Sequence, residues 1–173
     1  GYVDPETPDT FGGKARAKLG EFVDVLYRIA GRPETDSSAL PPDSESEDFD
    51  VTDPYYDAVC WAWQKRLLRQ DDVCTANTEK VDYQTACVLI YRYAAMAGVD
   101  TAVDRIQLQQ TIQSEPQLSA EAVRAMLWCN QTGITTRDSD LPDLLDASDT
   151  RISRYQMTSF LFYLCTYELQ PEG

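Results

Sequence analysis

One helical pattern occurs three times along this chain, at residues 18–31, 82–94 and 153–165. Each copy opens on a polar residue, continues with apolar residues three or four positions apart, and ends near an aromatic residue: Tyr27 beside Arg28, Tyr91 beside Arg92, and Phe162 beside Tyr163. Apolar residues at that spacing lie on one face of an α-helix. The copies begin about 64 and then about 71 residues apart, and a repeated unit of this kind buries its apolar face against its neighbours. The pattern predicts an all-α fold built as a single array of repeats over residues 1–173.

Composition narrows the classes of function. The chain has 29 acidic residues against 15 basic ones, a formal net charge of −14. Because affinity for nucleic acid and for anionic lipid comes mainly from Lys and Arg, this balance argues against both kinds of partner. No apolar run approaches the roughly 18 residues of a membrane-spanning helix, so we expect no membrane insertion.

The sequence argues against an enzyme. There is no histidine, which removes Ser-His-Asp triads, Cys-His dyads and every His-containing metal site. Acid pairs such as Asp138 and Asp140 fall in predicted loops, whereas an acid with a raised pKa needs an apolar pocket. We therefore expect a non-catalytic protein with no metal and no cofactor.

The cysteines allow two interpretations. Their number is odd and no two are spaced as C-x-x-C, so at least one thiol is free or pairs with another chain. Burial as small apolar side chains is the favoured interpretation, and one or two disulfides are the alternative. The five cysteines are Cys60, Cys74, Cys87, Cys129 and Cys165.

The first helix and the segment after it have clear boundaries. The helix is expected to stop at Gly31, with Pro33 just beyond. Residues 32–48 form an acidic linker rich in Ser and Pro, a solvated loop by composition. Asp53 followed by Pro54 then predicts a helix start, with Asp as the N-cap and Pro at the first helical position.

Capping residues mark the later helices in the same way. Asp82 is predicted to cap one helix, and Ser119 and Gly133 to begin and end another. Ser153 and Gln156 have the spacing of a capping box at the start of the last helix. Two connecting stretches are less regular: residues 102–112 fit either a short helix or an irregular connector, and residues 138–150 read as an acidic loop anchored by Leu141, Leu144 and Leu145.

Three stretches carry a resemblance to a known family. They are Phe49-Asp50-Val51 followed by Tyr55–Ala62, then Ala125–Ile134, and then Gly20–Gly31, which includes Leu-Tyr-Arg-Ile-Ala-Gly. Together they resemble the S-layer homology family of bacterial cell-surface modules. The resemblance covers nearly all of the chain as three repeats, which lie at approximately 1–31 (partial or reshaped), 49–98 and 106–169.

The resemblance implies a fold and a function. The family has helix–loop–helix repeats around a pseudo-threefold axis, and grooves between repeats bind secondary cell-wall polysaccharide, often with acidic ketal groups. An Arg in the motif T-R-x-[EQ] contacts the anionic sugar at a helix start, where free backbone N–H groups also favour an anion. The resemblance therefore implies an extracellular module that anchors a larger protein at the bacterial cell surface.

This chain departs from the family pattern at the residues that carry the chemistry. The motif Arg is Leu19 in the first copy and Tyr83 in the second, so only Arg154 in the third matches. The glycine that follows the first helix of a repeat is Arg66 in the second repeat and Gly133 in the third. The glycan-binding residues that the resemblance implies are Arg154, Ser153, Trp128, Gly133, Trp61, Tyr83 and Lys18, the last as a partial substitute for the missing Arg.

Each of these residues also has an ordinary structural interpretation. Arg154 fits a surface residue in a first helical turn, Trp61 and Trp128 fit core residues, and Tyr83 fits an exposed aromatic at a helix start. Two functions follow. One is a glycan-binding anchor. The other is a scaffold of the same fold that has lost glycan binding and now contacts a surface protein.

Overall fold

The structure is a computed structural model that describes residues 12–36, 52–70, 72, 79–135 and 150–168. Within these ranges the regular structure is all-α, as the sequence predicts, and the described residues fall into two compact units. Unit 1 comprises residues 1–81 and 151–158, and unit 2 comprises residues 82–150 and 159–173. The helices are α1 (Leu19–Ile29), α2 (Tyr56–Gln64), α3 (Tyr83–Met96), α4 (Arg105–Ser114), α5 (Ala120–Gln131) and α6 (Arg154–Glu168).

Unit 1 is built on the packing of α1 against α2. Phe22 and Leu26 of α1 are fully buried, and the ring of Tyr27 lies 5.5 Å from the ring of Trp61 on α2. Burying an aliphatic or aromatic side chain of this size stabilises a fold by about 1.5–3 kcal/mol. The start of α1 lies close to Tyr55, the residue that precedes α2. A Cβ atom on Gly20 would lie only 2.7 Å from Cδ2 of Tyr55.

Unit 2 is built on α3 and α5, with α4 resting on α5. Arg92 of α3 donates two hydrogen bonds to the carboxylate of Glu121 on α5, at 3.0 and 2.7 Å. The stretch 102–112, which the sequence predicts as either a short helix or a connector, is mostly helical, because α4 begins at Arg105. None of its residues is buried, and Ile106 is 68% exposed, so α4 is attached to the unit by one side only.

The helix starts follow the predicted caps in most cases. Asp82 accepts a hydrogen bond from the Thr85 backbone N–H at 2.7 Å, and Ser119 accepts one from Ala122 at 3.1 Å. The prediction for Asp53 is wrong. Its Oδ1 accepts from the Tyr55 N–H at 2.7 Å and closes a turn before the helix, so α2 begins at Tyr56 and not at Pro54.

The ends of α2 and α5 are built alike. After α2 the N–H of Leu67 donates to the carbonyl of Ala62, and after α5 the N–H of Ile134 donates to the carbonyl of Cys129. Each bond spans five residues and closes over a residue in the left-handed conformation. That residue is Gly133 with φ 75° in one case and Arg66 with φ 58° in the other. The two ends are equivalent, which gives the helices a repeat-like character although glycine occurs in only one.

The cysteines that the structure describes are free thiols. Cys60, Cys87 and Cys129 are buried and Cys165 is partly exposed, in agreement with the favoured interpretation. No helix within the described ranges is long and apolar enough to cross a membrane. The repeat boundaries stay a prediction.

Several sequence predictions fall on residues outside the described ranges. They are the linker from residue 37 onward, the Phe49-Asp50-Val51 motif, Cys74, and the loop 138–150 except Thr150.

Candidate functional site: the crossing of three chain segments

The segments that precede α1, α3 and α6 meet in unit 1 through a closed ring of backbone hydrogen bonds. The N–H of Ala17 donates to the carbonyl of Ile152 at 3.0 Å, Ile152 donates to Val81 at 3.0 Å, and Val81 donates to Ala17 at 2.9 Å. All three side chains are fully buried. The ring satisfies one donor and one acceptor on each segment, as buried backbone groups require. The ring thereby holds together the starts of the two motif copies that lie in unit 1, at residues 18 and 153.

The motif positions themselves are buried. Leu19 is fully buried, Tyr83 is 3% exposed and Arg154 is 7% exposed. Leu19 and Arg154 also donate their backbone N–H groups to Glu79 and Ala15 in unit 1, both at 2.8 Å. A side chain at this position is therefore directed into the protein by the same backbone pairing that orders the crossing.

Arg154 forms an ion pair with Glu21 of α1. Its Nε donates to Oε1 of Glu21 at 2.5 Å, and the two side chains are 9% and 13% exposed. The interpretation of Arg154 as an ordinary surface residue is wrong, because the crossing of the segments buries it. The carboxylate of Glu21 balances its charge, so the pair is electrically neutral as a whole. A direct contact between Arg154 and a glycan stays a prediction.

The start of α6 is capped as predicted, and this has a consequence for anion binding. Ser153 and Gln156 form the capping box, in which the Ser153 N–H donates to Gln156 Oε1 at 2.9 Å and the Gln156 N–H donates to Ser153 Oγ at 3.2 Å. The next N–H groups, those of Arg154 and Tyr155, donate to Ala15 and Gly13 at 2.8 and 3.0 Å. The expectation that free N–H groups at this helix start favour an anion is therefore wrong, because the chain itself occupies them.

An open pocket of about 570 Å³ lies beside this helix start. Tyr155 is 59% exposed there, and the side chains of Lys14 and Arg16 are exposed as well. The pocket thus combines two cations, an accessible aromatic ring and the capping-box side chains. Its lining residues are Gly13, Lys14, Arg16, Ser153, Tyr155 and Gln156.

Sequence reasoning found part of this pocket and missed the rest. It named Ser153, but it did not name Lys14, Arg16 or Tyr155. A signal was available, since Lys14 and Arg16 alternate with Ala15 and Ala17, the period of an extended segment with one polar face.

The other candidate residues in unit 1 lie apart from the lining of this pocket. Lys18 is exposed and pairs with Lys80 in an isolated backbone bridge. Trp61 is 1% exposed and belongs to the core, which agrees with the packing interpretation.

The remaining candidates belong to unit 2. Trp128 is 1% exposed, and its indole N–H donates to the Asp100 carbonyl at 3.1 Å. Gly133 serves the left-handed end of α5. Both residues thus have a structural role in unit 2, and a role in glycan binding stays a prediction for each.

Tyr83 sits in a polar corner of the same unit. Its hydroxyl donates to Thr135 Oγ1 at 2.9 Å, and its ring meets the edge of Phe160 at 6.2 Å. Burial raises the pKa of Tyr83, and the nearby Cys87 and Cys129 thiols act in the same direction. The interpretation of Tyr83 as an exposed aromatic is therefore wrong, and stacking on a sugar would require the ring to leave this packing.

Comparisons with known proteins identify no family. No model of a protein family matches the chain. No curated protein matches it in sequence either. The resemblance to the S-layer homology family therefore rests on the stretches quoted from the sequence and stays a prediction.

Proposed function

We propose that this chain is a non-catalytic module of the bacterial cell surface that anchors a larger protein by binding cell-wall polysaccharide. In this proposal its helices form three repeats around a pseudo-threefold axis, as the family resemblance implies. The observation that supports the proposal best is the open pocket beside α6, where Lys14, Arg16 and Tyr155 are all exposed.

The chemistry of the pocket suits an acidic sugar. A carboxylate on a saccharide accepts charge-assisted hydrogen bonds from Lys and Arg, which are about twice as strong as neutral ones. The exposed ring of Tyr155 offers an apolar face and a hydroxyl, the combination that places aromatic residues at wet interfaces. The pocket is open to solvent, so the rest of a polymer can extend away from one bound residue.

In this proposal Arg154 stabilises the pocket without lining it. Through Glu21 it ties the start of α6 to α1, and the next residue along the helix is Tyr155. We therefore assign Arg154 a positioning role and give the direct ligand contacts to Lys14, Arg16 and Tyr155.

The proposal is tested by a binding isotherm against purified cell wall of the source bacterium, with and without its secondary polysaccharide. We expect saturable binding that stripping abolishes and that Tyr155→Ala and Lys14→Gln each weaken by about tenfold, the loss of one charge-assisted or stacking contact. Lys65→Gln is the matched control, because Lys65 is also exposed in unit 1 but follows α2. Wild-type protein that fails to bind intact wall would refute the anchor.

A second candidate function has one observation in its favour. Phe162 on α6 is 61% exposed and its ring lies 5.6 Å from that of Tyr163. An exposed aromatic ring that packs on a half-buried one is typical of protein–protein contacts, which fits a scaffold that binds a surface protein. Cross-linking on the parent cell surface tests this candidate. A partner captured by the wild type and lost in Phe162→Ser would favour it over the glycan anchor.

A further inference from the structure

Each residue of the ring of backbone hydrogen bonds in unit 1 has an exposed cation as its neighbour in the sequence. The residues that directly precede Ala17, Val81 and Ile152 are Arg16, Lys80 and Arg151. Side chains alternate between the two sides of an extended segment. Since the three ring residues are fully buried, the residues beside them face away from the core, and all three are exposed.

Direct contacts hold two of these cations at the crossing. Arg16 Nη1 donates to the carbonyl of Arg151, and Arg151 Nη1 donates to the carbonyl of Lys80 at 2.8 Å. Each guanidinium therefore reaches over to the next segment of the ring. A guanidinium has five N–H donors, so a single carbonyl bond does not exhaust the donors of Arg16.

The local charge is opposite to that of the chain as a whole. The net charge is −14 with only 15 basic residues, yet Lys14, Arg16, Lys18, Lys80 and Arg151 all lie on the segments that cross here, and all are exposed. Glu79 and Asp82 are the acidic neighbours on the Lys80 segment. Exposed cations grouped at one point produce a local positive potential, which attracts an anion.

We propose that the Arg16, Lys80 and Arg151 side chains form a binding site for a compact, multiply charged oxyanion of the phosphate class. The three cations stand on three chain segments that the ring joins, and an ion that carries several acceptor oxygens on one centre can accept hydrogen bonds from more than one of them. Arg16 also lines the pocket beside α6, whereas Lys80 and Arg151 do not, so the two sites share Arg16 and are distinguished by Lys80 and Arg151. The oxyanion site does not rest on the proposed glycan function.

The site is tested by an NMR titration of the full chain, following the backbone amides of Arg16, Val81 and Ile152. Inorganic phosphate replaces chloride at constant ionic strength, so that general screening stays fixed. Glycerol phosphate forms a second arm, which distinguishes a free ion from a phosphoryl group carried on an organic molecule. Lys80→Gln is the main variant, Arg151→Gln the second, and Lys65→Gln the control with the same change of charge at an exposed position elsewhere in unit 1.

We expect saturable shifts in the wild type, weakened about tenfold by Lys80→Gln, as loss of one hydrogen bond to a charged group predicts. Lys65→Gln is expected to change the affinity less than about twofold. Arg151→Gln also removes the bond to the Lys80 carbonyl, so its thermal unfolding is measured alongside, and Lys80→Gln decides the matter if Arg151→Gln unfolds. Shifts that do not saturate in the wild type, or equal weakening by Lys65→Gln and Lys80→Gln, overturn the site. Phosphate binding that depends on Lys80 while cell-wall binding is absent would retain this site and reject the anchor.

Discussion

The ion pair between Arg154 and Glu21 gives the sharpest test of how the crossing is held together. Replacing one member of a buried pair leaves the other charge in a site of low polarity, which costs about 3–5 kcal/mol. The side chains here retain 9% and 13% exposure, so we expect the lower end, about 3 kcal/mol, for Arg154→Met alone. For a chain of this size about 1 kcal/mol corresponds to 2–4 °C in melting temperature, so the expected fall is about 6–12 °C.

The double variant separates the pair from the packing around it. Replacing both residues by Met removes both charges and keeps apolar volume, and such exchanges are often neutral or stabilising. We therefore expect the Glu21→Met, Arg154→Met double variant to recover stability to within about 1 kcal/mol of the wild type, a coupling of about 2 kcal/mol or more in the cycle. Thermal and urea unfolding of the four proteins, followed by circular dichroism, measure it. A single variant that melts within about 2 °C of the wild type would refute the buried pair.

The same four proteins also decide what Arg154 does in binding. A refolded double variant that still binds cell wall would show that Arg154 acts through the fold, as the pocket geometry suggests. A stable double variant that no longer binds would return the direct contact to Arg154.

Three other predictions concern single positions. Arg66→Gly is expected to stabilise the protein by about 0.5–1 kcal/mol, because the left-handed φ of 58° disfavours any side chain; urea unfolding measures it, and Arg66→Ala, which keeps that cost, is expected to gain less. Gly20→Ala is expected to destabilise although Ala favours helix by about 1 kcal/mol, since the new Cβ meets Tyr55 at 2.7 Å; an unchanged melting temperature would contradict that packing. Burial, with the neighbouring Cys87, raises the pKa of Cys129 above its ordinary value of 9.0, so above that pH the unfolded chain releases a proton that the native state keeps. The free energy of unfolding is then expected to fall by up to about 1.4 kcal/mol per pH unit, and a Cys129→Ala variant with an equally steep slope would contradict this.

Local signals in the sequence predicted the helices well. Asp82, Ser119 and the pair of Ser153 and Gln156 act on N–H groups two or three residues away, so their roles can be read without knowing the fold. Asp53 shows the limit of such signals, because an Asp before a helix can close a turn instead of capping the helix itself. The choice depends on where the rest of the chain directs the first turn.

The site was harder to predict because its residues come together only in the folded unit. Nothing near Arg154 in the sequence indicates Glu21, which is 133 positions away in the chain. Lys14 and Arg16 likewise form a pocket only together with Tyr155, which the crossing of the segments brings near them. The family resemblance indicated the right segment but suggested free N–H groups that the backbone of residues 13–15 already occupies.

The closed ring of Ala17, Val81 and Ile152 affects how this protein folds during synthesis and how it tolerates truncation. Its members are separated by about 64 and 71 residues, so no two of them meet early, and pairings of such high contact order form slowly. Lengthening the connecting segments adds little, since doubling a loop costs only about 0.6 kcal/mol. Removing one segment, in contrast, leaves a buried N–H on one of the two remaining segments and a buried carbonyl on the other without a partner. Folding of unit 1 is therefore expected to wait until residue 152 has left the ribosome, and a C-terminal truncation before that residue should be degraded where a longer linker would be tolerated.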